Sequence, residues 1–240
     1  MKIYIGLDDS GRGPVIGPMI LAAVAINEKQ KDYLKSIGVR DSKKLTRSQR
    51  NVLEKEIKNN CIAYKLLKIT PEEIDKRVGL YNLNKIEAIK FAKLINEIYE
   101  ELEKRKLLKK VKGKIIVIVD CPSTNIKQWK LFLEQYIRED IKKELMIIAK
   151  HKAEMHIFVA AASILAKEKR EREIEKIKQL LGYDFGSGYP SDERTIEFLK
   201  TRLAKFKEFN KEHYFIRESW QTTKDIKKEK EQKKLKEFFH

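Results

Sequence analysis

Unbroken apolar runs and amphipathic runs alternate along this chain. Residues 2–8 and 18–27 are nearly continuous in Ile, Leu, Val, Ala and Tyr, the pattern of strands buried on both faces, with a glycine-rich segment between them. Residues 61–70, 114–119 and 145–149 read as three further strands. Between them the period changes to 3.6. A helix begins near Thr46, and another spans 84–107 with Ile86, Phe91, Leu94, Ile95 and Ile98 on one broad face and Ile89 at its margin. Residues 128–143, 157–181 and 193–207 read as helices as well, and Ala160-Ala161-Ala162-Ser163 gives the fourth of these a small-residue start able to pack closely on a sheet. The order begins β-β-α-β-α-β-α-β-α. With the first three strands antiparallel, it predicts a mixed-sheet α/β fold. From Thr223 onward Lys and Glu dominate, so a globular domain over 1–222 is expected to end in a basic helical tail over 223–240.

Composition narrows the partners. The 240 residues hold 53 Lys and Arg against 36 Asp and Glu, a net charge of +17 that predicts attraction to a polyanion, nucleic acid first. A charged surface of the heat-adapted kind is compatible with the same numbers. Cys61 and Cys121 are too few and too isolated for a disulfide framework or a zinc site. Lys2-Ile3-Tyr4-Ile5 enters a strand at once, without the leader of a signal peptide, and no stretch has the length and apolarity of a membrane span. A cytoplasmic protein is expected.

The candidate chemistry sits at strand ends. Asp8 and Asp9 close the first apolar run and are followed by Gly11-Arg12-Gly13, while Asp120 closes the fourth and Glu154 lies just beyond the fifth. Ligands of open α/β sheets gather there. Two carboxylates about 4 Å apart repel by roughly 4 kcal/mol at an effective dielectric near 20, which calls for a cation, and an oxygen-only set suits a hard divalent metal. Gly11 and Gly13 leave backbone N–H groups open to a phosphate or sugar. Each residue taken singly also has a plain structural reading, a solvated turn for Asp8-Asp9 and a helix N-cap for Asp120.

Seven motifs in one order carry a resemblance. They are residues 6–18 (GLDDSGRGPVIGP), Asp41-Ser42-Lys43-Lys44-Leu45, Val119-Asp120 with Ser123-Thr124-Asn125, His151-Lys152-Ala153-Glu154, residues 161–167 (AASILAK), residues 186–192 (GSGYPSD) and Ile216-Arg217-Glu218-Ser219-Trp220. Over nearly its whole length the chain resembles type 2 ribonuclease H, the archaeal ribonuclease HII group related to the catalytic subunit of eukaryotic ribonuclease H2. The resemblance implies a ribonuclease H-like mixed five-stranded sheet flanked by helices, with a C-terminal helical extension. It implies a monomeric endoribonuclease that hydrolyses RNA in RNA/DNA hybrids and at ribonucleotides embedded in duplex DNA, giving 5′-phosphate and 3′-hydroxyl ends, in ribonucleotide removal and primer processing. Asp8, Asp9, Asp120 and Glu154 would hold two Mg²⁺ or Mn²⁺ ions. Gly11, Arg12, Gly13 and Tyr189 would read the ribose, with Lys43, Lys44 and Lys167 near phosphates.

Some roles stay open at this level. Tyr189 could equally anchor its loop before Pro190, and His151 either orients a carboxylate or packs in its loop. Ser219-Trp220 reads as a packing anchor. The family reads Glu where Asp9 stands and Asp where Glu154 stands, each swap moving a carboxylate by roughly 1.5 Å against a tolerance of roughly 0.5 Å. Two alternatives follow: a catalytically weak hybrid-binding module, or a DNA-only nuclease of the same fold. At the C-terminus Gln232, Leu235, Phe238 and Phe239 resemble a clamp-interacting peptide, which implies docking on the replication sliding clamp.

Overall fold

The computed structural model describes residues 1–202, 210 and 213–238, with side chains as far as 232. Strands β1 (Ile3–Ser10), β2 (Met19–Asn27), β3 (Ala63–Ile69), β4 (Ile115–Asp120) and β5 (Leu145–Lys150) form one sheet in the order β3-β2-β1-β4-β5. β1 is antiparallel to β2 and parallel to β4, and β4 is parallel to β5. The mixed sheet expected from the element order is present. Its helices are α1 (Glu28–Ser36), α2 (Arg47–Asn60), α3 (Pro71–Val78), α4 (Leu83–Lys104), α5 (Ile126–Glu134), α6 (Glu139–Lys142), α7 (Ile157–Leu181), α8 (Glu193–Thr201) and α9 (Gln221–Phe238).

Departures from expectation have local causes. The helix expected over 128–143 is broken between α5 and α6, where Asn96 of α4 donates to the Tyr136 carbonyl (3.1 Å) and accepts from the Arg138 N–H (3.2 Å). Those bonds from a neighbouring helix replace the continuing i→i−4 ladder. α1 and α3 lie outside the expected order. α1 is short and largely polar and buries only Leu34, and its start is marked instead by the reciprocal Asn27–Gln30 capping box. α3 starts at Thr70-Pro71, a side-chain cap followed by proline at the first helical position. α8 ends at Thr201, and residues 203–207 of the helix expected there lie outside the described residues.

The chain divides into two compact units. Unit 1 (Met1–Ser10, Ile20–Lys68, Tyr81–Lys169) holds the sheet. Its core gathers Ile20, Ala22, Val24 and Ile26 of β2 with Leu53 and Ile57 of α2 and the start of α7. A Cβ on Gly6 would stand 2.2 Å from the Phe158 carbonyl oxygen, so α7 rests on bare β1 backbone there. Ala160, Ala161 and Ala162 are fully buried, as their size anticipated. Arg50 of α2 pairs with Glu168 of α7 at 2.6 Å, both buried, and also donates to the Leu45 carbonyl.

Unit 2 (Gly11–Met19, Ile69–Leu80, Arg170–His240) packs Val15 and Ile16 among Ile174, Phe185, Phe198, Phe215 and Ile226. Ile16 forms a bridge with Ile216, and the Val15 N–H donates to the Gly188 carbonyl at 2.8 Å.

The Gly6 contact is with backbone, which cannot swing aside. Gly6→Ala is expected to cost about 3 kcal/mol, the upper end for overpacking, read as a lower urea midpoint at unchanged slope.

Candidate active site

In unit 1 the register sets the carboxylates. Leu7 is paired with Val119, so Asp8 and Asp120 follow side by side on the parallel strands β1 and β4. Gly6 and Asp8 project from the same face of β1, the face α7 covers. Two strand residues advance about 6.6 Å and five helical residues about 7.5 Å, so the contact of Phe158 on Gly6 brings Ser163 to Asp8. The Ser163 hydroxyl donates to Asp8, and its oxygen lies 3.0 Å from the Ser42 hydroxyl. Two of the motifs singled out in sequence thus meet behind one carboxylate.

Asp8 is 8 % exposed. Burial pushes its carboxyl well above the ordinary value, Asp9 and Asp120 push it further, and the Ser163 hydroxyl and Asp9 N–H only partly oppose them. Asp120 is raised too, first by burial, then by Glu154 and Asp9, against the Ala153 N–H and Lys43. The four carboxylates are therefore one electrostatic group. They do not stand as a closed cage: among the described residues no three His, Cys, Asp or Glu side chains converge at metal-ligating distance. The geometry accounts for it. Asp9, placed by sequence at the end of the strand, lies within β1, and strand alternation sends it to the face opposite Asp8. Asp8 and Asp120 each turn one oxygen onto a backbone N–H, Asp9 and Ala153 respectively, both at 2.8 Å. The donor set is oxygen-only, and Asp8 and Asp120 in it are raised by burial and then by their acidic neighbours, which fits hard divalent cations.

His151 is exposed in its loop, its Nδ1–H donating to the Cys121 carbonyl at 2.8 Å. Asp120 does not cap α5; Asn125 does, accepting from the Gln128 N–H. Lys43 and Lys44 are exposed, and Lys167 is half-buried.

Unit 2 carries the glycine-flanked arginine. Gly11 has φ +96°, and a Cβ there would meet Arg170 Cδ at 2.6 Å and the Pro18 carbonyl at 2.9 Å. Only glycine fits. Gly13 is exposed, and a Cβ there would meet the Tyr189 ring at no less than 3.6 Å, so nothing in the fold demands glycine at this position. Tyr189 is half-buried. The Arg170 guanidinium lies over its ring at 4.9 Å and donates to the Ser187 carbonyl at 3.0 Å. The loop is held by α8. Burial alone would raise the Asp192 carboxyl, but bonds from the Ser187 N–H and Arg194 hold it down at about 2. Thr195 joins the Gly188 N–H to the Phe185 carbonyl. Arg170 and Arg217 were not picked out from sequence, though Arg217 stands in one of the seven motifs.

A family model described as Ribonuclease HII matches residues 5–223. A ribonuclease HII of Methanococcus maripaludis is 42% identical over 235 residues, covering 98% of this chain and 91% of that protein. Among solved structures, the ribonuclease H2 of Pyrococcus horikoshii superposes with a TM-score of 0.74 at 36% identity, covering 95% of this chain and 98% of that one. Ribonuclease HII of Archaeoglobus fulgidus, solved in complex with PCNA, has a TM-score of 0.70 at 38% identity, covering 84% and 87%.

A raised carboxyl favours the folded state while protonated, so Asp8 leaves stability intact below its ordinary value of 3.8 and erodes it as pH climbs through the raised value. Asp8→Asn is expected to raise the melting temperature in chelator at pH 8, with the gain shrinking to nothing near pH 3; calorimetry across that range checks it. An absence of gain at pH 8 would show that the buried charge is not what costs stability.

Proposed function

The chain belongs to the ribonuclease HII family and is a type 2 ribonuclease H, a hydrolase of the phosphodiester bond, and from that premise we propose its substrate and chemistry. It acts as a metal-dependent endoribonuclease on RNA in RNA/DNA hybrids and on ribonucleotides embedded in duplex DNA, cutting on their 5′ side to give 5′-phosphate and 3′-hydroxyl ends. Asp8, Asp9, Asp120 and Glu154 would hold two Mg²⁺ or Mn²⁺ ions, which when bound supply Lewis-acid activation of a water and neutralise charge on the leaving oxygen. The protein's part is position and charge. Gly11, Arg12, Gly13 and Tyr189 read the ribose, whose 2′-hydroxyl is the sugar difference between RNA and DNA. Lys43, Lys44 and Lys167 take phosphates, and the net charge of +17 draws the polyanion.

One observation carries this reading: Asp8, Asp9, Asp120 and Glu154, from β1, β4 and the turn after β5, are electrostatically linked. The open spacing of those carboxylates favours a second reading, a catalytically weak hybrid-binding module.

For the tail we propose that Gln232, Leu235, Phe238 and Phe239 dock on a sliding clamp, residues 1–222 forming the catalytic domain. The Archaeoglobus relative was solved with PCNA, and the helix carrying the peptide runs through Phe238. Phe239 lies outside the described residues. Among the described residues no helix is long and apolar enough to cross a membrane, and a cytoplasmic site of action is part of the proposal.

On a duplex with one ribonucleotide, cleavage is expected with Mg²⁺ or Mn²⁺ and is expected to fall more than about 100-fold in Asp120→Asn, since even groups behind metal ligands cost 10–100-fold. Binding with no cutting in either metal would establish the weak module instead. Removing residues 232–240 should leave cleavage of a short duplex unchanged and abolish co-elution with the clamp; retained co-elution would refute the docking.

A further inference from the structure

Arg217 is fully buried, and its guanidinium gathers three carbonyls of one short segment. Nη2–H donates to the Gly11 carbonyl at 2.6 Å, Nη1–H to the Arg12 carbonyl at 2.8 Å and Nε–H to the Gly17 carbonyl at 3.1 Å. The planar fork of donors suits such a set, whereas the single ammonium of a lysine does not. Arg217 is itself fixed. Its guanidinium stacks on Trp220 at 4.8 Å, its carbonyl accepts from the Thr223 hydroxyl, and the next two N–H groups donate to Asp75 of α3 at 2.7 and 3.1 Å.

A trans peptide sets each carbonyl antiparallel to the N–H that follows it. With the Gly11 and Arg12 carbonyls turned onto Arg217, the N–H groups of Arg12 and Gly13 point the other way. Glycine on either side of Arg12 makes both peptide planes easy to flip, because glycine accepts either hand of backbone. We infer that Arg217, 205 positions from Arg12 in sequence, is a positioning residue for ribose selectivity: it locks the two peptide planes that present the Arg12 and Gly13 N–H groups to the sugar. This rests on the reading of the Gly-Arg-Gly turn as the ribose reader.

The test compares the full chain with Arg217→Lys and Trp220→Leu. Two duplexes differing by a single 2′-hydroxyl are titrated in chelator, and the ratio of their affinities is read beside the melting temperature and the ¹⁵N–¹H signals of Arg12 and Gly13. Wild type should prefer the ribonucleotide duplex by about tenfold, the discrimination lost when a hydrogen-bonding site faces an analogue without its hydroxyl being at least this large. In folded Arg217→Lys the ratio should fall towards one, with affinity for the all-DNA duplex unchanged and both amide signals displaced. Trp220→Leu keeps the guanidinium but removes its support, and should lower the ratio part of the way even if the lysine variant fails to fold. A folded variant with the wild-type ratio and unmoved amide signals would overturn the inference. A wild type that binds both duplexes equally, while Arg217→Lys still displaces the amide signals, would instead refute the ribose-reading role of the turn.

Discussion

The seating of α7 on the bare backbone of Gly6 is the constraint from which the carboxylate site follows. With no side chain between them, strand and helix approach to van der Waals contact, and the three buried alanines that follow Phe158 keep that approach along the helix. The rise of the strand and the rise of the helix then bring Ser163 to Asp8 without further adjustment. Ser42, from a different motif, completes the line.

Such a seat places a carboxylate where burial works against its charge. The neighbours of Asp8 make matters worse, since Asp9 and Asp120 repel the same negative form. A fold selected for stability alone would put an apolar residue there. Keeping a costly charge, with one hydroxyl and one backbone N–H as its partial compensation, fits a site whose full compensation comes from a cation.

Unit 2 solves a different problem, holding a glycine-flanked segment in one conformation. Around Gly11-Arg12-Gly13, Arg170 fills the space beside Gly11, and Arg217 takes the Gly11 and Arg12 carbonyls. Both arginines are buried, and each stacks on an aromatic ring, Tyr189 and Trp220 respectively. The Ser219-Trp220 pair, expected to be a packing anchor, is one, and what it anchors is Arg217.

Much was legible along the chain because it depends on local pattern. Runs rich in apolar residues located all five strands, most plainly β1, β2 and β4, which are buried nearly throughout, and the motif order identified the family and its candidate residues. Short, largely polar α1 and the break between α5 and α6 were not legible, the second because Asn96 reaches it from another helix. Nor could a linear pattern show that β1 continues to Ser10, which places Asp9 on the face opposite Asp8. The sequence by itself determined which residue types were available for the chemistry and that strands would carry them. Only the tertiary structure decided how buried Asp8 is, which hydroxyl meets it and which arginine orients the glycine turn, because burial and hydrogen-bond direction depend on neighbours more than a hundred residues away along the chain.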